Sequence, residues 1–125
     1  MDHVELLEPE RVATLEFEAL VKVFFAEQGS KAQLAANLDR IVEDQRARVA
    51  VDAEWARRYL EGAGTFPERA AVLSLVGRLQ ADFNDMILNW ATWAREVVEE
   101  WPDDLKAAPS APGALQAVVA RAQEN

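Results

Sequence analysis

The sequence predicts an all-α fold: a long antiparallel helical hairpin with a short helix before it, assembling as a dimeric helical bundle. Three observations predict it. Ala, Glu, Leu and Arg are abundant while apolar/polar alternation is never sustained, which favours helices over strands. The five prolines and five glycines fall in a few clusters that cut the chain into long uninterrupted segments. In the longest segment, Val76, Phe83, Trp90 and Val97 stand seven apart, as do Leu79, Met86 and Trp93, which is a heptad seam.

The first helix is expected from Pro9, an N1 proline between Glu8 and Glu10 that suit the positive helix end. It should run through LVKVFF and stop at Gly29 as a C′ residue. LVKVFF is apolar on nearly every side, so burial by more than one neighbour is expected. Ser30 is a suitable N-cap for a second helix from Lys31 to about Glu61. Its stripe of Leu34, Leu38, Ile41, Val42, Val49, Trp55, Ala56, Tyr59 and Leu60 is thinned by Gln45, Arg48 and Asp52, which predicts a mostly solvated helix.

The turn Gly62–Pro67 follows, with Thr65 as the expected cap of a third helix running from about Pro67 to Glu100. After Pro102 the segment DDLKAAPSAPG reads as a linker, and GALQAVVARAQ as a short closing helix. The expected organisation is an extension over 1–8, a helical domain over 9–101, and a linker with a short helix over 102–125.

Helix three, at about 1.5 Å per residue, is roughly 50 Å long and overshoots a compact domain of about 35 Å diameter. A two-helix hairpin cannot cover Phe83, Met86, Trp90 and Trp93 on all sides. A second copy solves this, and Val76, Leu79, Phe83, Trp90 and Val97 are the expected dimer interface. The alternative is that the first and last helices fold back over the seam.

Composition narrows function. The formal charge of −9, from 13 Lys+Arg against 22 Asp+Glu, argues against direct nucleic-acid binding. The acidic start MDHVELLEPE is unlike a secretory leader, no run approaches the ~18 apolar residues of a membrane span, and cysteine is absent. A cytoplasmic location is expected, with no membrane partner. His3 is the single histidine, so neither a catalytic triad nor Glu-x-x-His metal pairs can form. Gly62-Ala63-Gly64 joins two helices and does not follow a strand, so it is no phosphate loop. No enzyme activity, catalytic residue, metal or cofactor is expected.

Phe83, Met86, Trp90 and Trp93 share a helix face and can line a site for a planar hydrophobic small molecule, the plainer reading being core packing. Asn84, Asn89 and Thr92 stand near enough to add polar contacts.

The segment LEFEALVKVFFAEQGSKAQLAANLDRI, with its LVKVFF core, small-residue turn and Ser-capped helix, resembles the start of the C-terminal domain of PadR-type transcriptional regulators. The resemblance covers about residues 12–101. It implies a dimerisation and effector-binding domain for transcription regulation, with a ligand held between subunits against aromatics. Only about a dozen residues precede the matching segment, and they carry no winged-helix pattern. The expected roles are therefore subunit pairing and small-molecule sensing without DNA binding, or a standalone module that titrates a full-length winged-helix regulator into heterodimers.

Overall fold

The computed structural model describes residues 19–124. The expected helix start at Pro9, and His3, lie outside the described residues. Four helices follow one another: α1 (residues 19–24), α2 (Lys31–Leu60), α3 (Ala70–Glu99) and α4 (Ala114–Glu124), with no strand among the described residues. The two 30-residue helices, each about 45 Å long at 1.5 Å per residue, form the expected antiparallel hairpin.

The start of α2 is as expected. Ser30 Oγ accepts from the Gln33 backbone N–H at 3.1 Å while Gln33 Oε1 accepts from the Ser30 N–H at 3.0 Å. This reciprocal capping box satisfies two orphan donors of the first turn. The helix ends in a Schellman arrangement. Gly62, at φ 79°, donates its N–H to Tyr59 O and Ala63 donates to Arg58 O, a left-handed position that favours glycine.

Two termini differ from expectation. Thr65 does not cap α3: a single 3-10 turn over Pro67–Arg69 leads into it, and no side chain caps either segment. Proline fixes the first turn there without a cap side chain, because its missing N–H is one of the orphans. Gly29 does not take the left-handed conformation. Its φ is −116°, and a 3-10 turn over Ala26–Gln28 intervenes between α1 and α2.

The hydrophobic core occupies the end of the hairpin remote from its turn. Leu34, Leu38 and Ile41 of α2 meet Ile87, Ala91 and Val98 of α3, with Ala19, Val23, Ala26, Trp101 and Leu105 closing over them. Only one stripe of α1 reaches this core. Leu20, Val21, Phe24 and Phe25 remain exposed, Phe24 at 76%, where burial by several neighbours was expected. Among the described residues, only the hairpin packs against this helix, and it meets one face.

At the same end, Lys31 Nζ donates to the backbone carbonyls of Glu99 at 3.1 Å and Trp101 at 2.7 Å. The ammonium thus satisfies two terminal carbonyls of α3 and sits at the negative pole of its dipole. Arg95 ties the two long helices on the surface, donating to Asp39 at 2.9 Å and to Glu99 at 3.0 Å. The Glu99 hydrogen bond, with the charge of Asp39, holds the guanidinium above its usual pKa.

Candidate functional site

Helix α3 carries two faces, and only one is used by the hairpin. The buried residues Asn84, Ile87, Ala91 and Val98 turn toward α2. The heptad rows predicted from sequence run along a flank rotated from this line by about 100°, at 3.6 residues per turn. Val76, Phe83, Trp90 and Val97 are half-buried at its near edge, and Phe83 and Trp90 also pack against the core. Val72, Leu75, Leu79, Met86 and Trp93 form its outer part and are exposed, Leu79 at 66%, Met86 at 54% and Trp93 at 40%.

The structure therefore brings the five expected interface residues onto one flank, with Leu79 the most open of them. Of the four aromatic and Met residues expected to line a ligand site, Phe83 and Trp90 lean inward while Met86 and Trp93 face outward.

A cavity of about 560 Å³ lies elsewhere, between the C-terminal half of α2 and the N-terminal half of α3, and none of those four residues lines it. Its position follows from the packing. No residue of α2 after Gln45 is buried, and none of α3 before Asn84. Small residues leave space there, Ala53 and Ala56 on one side and Ala70, Gly77 and Ala81 on the other, beside the larger Val49, Leu60 and Leu73. Trp55 lies over Gly77 so closely that a Cβ on the glycine would stand 3.4 Å from the indole. The Tyr59 ring packs beside Trp55, centroids 4.9 Å apart, and the Tyr59 hydroxyl accepts from the Phe66 N–H at 3.1 Å, fixing the hairpin turn over the open end.

The polar residues of this cavity are those that thin the stripe in the sequence. Asp52 is half-buried, and its Oδ2 accepts from Asn84 Nδ2 at 2.8 Å. Asn84 is only 2% exposed, and its Oδ1 has no hydrogen-bond partner. Gln45, which thins the apolar stripe in the sequence, is also buried. Sequence reasoning took Asp52 as a break in the stripe and offered Asn84 only as a polar contact beside the aromatic row, because polar residues score against a buried face. Their spacing was the available signal: Asp52 falls two heptads after Leu38, and Asn84 one heptad before Ala91. Asn89 is exposed, and Thr92 Oγ1 donates to the Leu88 carbonyl of its own helix at 2.8 Å.

Among the described residues no group of three or more His, Cys, Asp or Glu stands close enough to hold a metal ion. No described helix is long and apolar enough to cross a membrane.

A long antiparallel hairpin with a spare apolar flank on its second helix defines a helical-hairpin domain. Its family is shown by comparison. The family model described as virulence activator alpha C-term matches residues 17–99, well over half of the 125 residues, and the chain belongs to that family. No curated protein and no solved structure matches the chain.

The family match corrects the resemblance drawn from LVKVFF and the helices after it. The matching family is the virulence activator alpha C-terminal one and not that of the PadR-type regulators. The PadR-like identity, its role in transcription regulation and effector sensing, and the alternative of titrating a winged-helix regulator are withdrawn with it. The residues that carried the resemblance, a short apolar helix leading into a capped long one, lie inside the matched span.

Proposed function

We propose that this chain is a non-catalytic assembly domain that pairs with a second copy of itself along the outer flank of α3. The observation that carries the reading is the run Val72, Leu75, Leu79, Met86 and Trp93, left exposed on a helix whose other face is already committed to α2. A seven-residue repeat is the spacing at which one helix lies along another over several turns. A two-fold interface sets the same flank against itself, which makes Leu79, Met86 and Trp93 self-complementary anchors. The exposed Phe24 and Phe25, edge to face with ring centroids 5.0 Å apart, add apolar surface of the same kind on α1.

Pairing rather than catalysis accounts for the chemistry of the surface. The formal charge of −9 disfavours phosphate backbones as partners, and a cysteine-free chain suits a cytoplasmic location. In a protein of the virulence activator alpha type, such a domain sets the number of copies brought together.

Light scattering coupled to size-exclusion chromatography tests the proposal. The expected mass is twice 13.9 kDa at micromolar concentration. A mass of 13.9 kDa across that range refutes it.

A further inference from the structure

The cavity at the open end of the hairpin is apolar on its walls and acidic at one end, and this asymmetry specifies a ligand. We propose that it binds a lipophilic amine, with the hydrocarbon body among Trp55, Tyr59 and the Ala and Gly walls and the ammonium at Asp52 and Asn84.

Four observations carry the assignment. The volume of about 560 Å³ is that of a small-molecule site, which falls at roughly 300–1,000 Å³. Alanines and Gly77 in its lining leave room among the larger Val49, Leu60 and Leu73, and the ring of Trp55 already rests on Gly77. The polar groups at its inner end offer acceptors. Asp52 is a half-exposed carboxylate held by Asn84, and the Asn84 Oδ1 is buried without a partner. A buried carbonyl in that condition is costly until a donor reaches it.

The charges decide the sign of the ligand. Asp85 joins Asp52 in the lining, while Arg78, the cation of the wall, donates to Asp82 at 3.0 Å. An anion would meet two carboxylates. A neutral donor would satisfy the acceptors but gain nothing from the charge of Asp52. An ammonium satisfies both.

This site does not rest on pairing. The wall residues Ser74, Arg78, Ala81 and Asp85 lie on the flank of α3 turned away from Val72, Leu79, Met86 and Trp93. A partner on one flank leaves the other open.

Isothermal titration calorimetry of the full chain near neutral pH, at low salt, uses three probes with one hydrocarbon body: naphthylethylamine, naphthylethanol and naphthylacetate. The amine is expected to bind about ten-fold more tightly than the alcohol, and the acetate not at all. Asp52→Asn is expected to reduce amine affinity about ten-fold, to the level of the alcohol, because it removes the charge and keeps the shape. Ala81→Phe fills the cavity from an exposed wall position and is expected to abolish binding of amine and alcohol while helicity by circular dichroism is unchanged. Equal binding of the three probes overturns the proposal. So does absence of amine binding, or wild-type amine affinity in a folded Ala81→Phe chain. The oligomeric mass, measured in parallel, reports on pairing alone.

Discussion

Replacing Asn84 by leucine is expected to stabilise the protein and weaken its cavity chemistry at once. Asn84 sits 2% exposed on the inner face of α3, and Leu has the same branching at Cγ with space toward the cavity. Burying a leucine side chain there contributes about 1.5–3 kcal/mol. Removing the unpartnered Oδ1 relieves a further ~1–3 kcal/mol. Against this stands the hydrogen bond to Asp52, worth at most about 1.5–3 kcal/mol to a charged acceptor, and less where that acceptor is half-exposed and regains water.

The net is about 1–3 kcal/mol in favour of Asn84→Leu, a rise in Tm of roughly 4–12 °C for a chain of this size. Thermal and urea unfolding followed by circular dichroism measure it, at matched protein concentration because association also raises stability. In calorimetry the same variant should bind naphthylethylamine several-fold more weakly, since Asp52 loses the amide that orients it. A variant no more stable than wild type refutes the ledger for the buried carbonyl. A stabilised variant with undiminished amine affinity refutes the role of Asn84 in positioning Asp52.

Three further outcomes are expected. Leu79→Asp places a charge on the outer flank of both copies; losing about 1.5 kcal/mol of burial from each should weaken self-association about 100-fold, read as a fall in mass toward 13.9 kDa on dilution. Lys31→Met keeps the apolar stem but removes two hydrogen bonds to the end of α3, and should cost about 1–2 kcal/mol in urea unfolding, with the wild-type advantage shrinking in high salt. Ser30→Ala leaves the Gln33 N–H without its acceptor and should cost about 1 kcal/mol in the same assay, with no change in oligomeric mass.

The hairpin was legible because its punctuation is chemical. Ser30 with Gln33 three residues on, Gly62 after α2 and Pro67 at the head of the next segment each mark a boundary that backbone geometry requires. The fold class followed from these marks and from the absence of alternation. What the sequence did not reveal is which face of α3 meets α2. The heptad rows through Val76 and Leu79 stand out because they are apolar, yet the buried line runs through Asn84, Ile87, Ala91 and Val98. Counting apolar residues selects the richer face, and here the richer face points outward. The cavity was hidden for the same reason. Asp52 reads as an interruption of a stripe and Asn84 as a polar neighbour of the aromatic row, whereas together they make one hydrogen-bonded pair.

Helix α3 therefore carries apolar residues on two sides. Its inner face holds Ile87, Ala91 and Val98 together with a buried amide and Gly77, and its outer flank holds Leu75, Leu79, Met86 and Trp93. A lone hairpin of this kind gives up part of its hydrophobic stabilisation at both faces, since large side chains stay wet outside while a carbonyl goes unpaired inside. The two deficits call for different occupants. The outer flank is long, flat and repetitive, which suits another helix, and the inner gap is short, half-open and acidic at one end, which suits a small cation. An arrangement serving the hairpin alone would place Leu79 and Met86 where Asn84 and Gly77 stand. The sequence keeps them apart, so the stability withheld from the single chain is available to whatever binds each face.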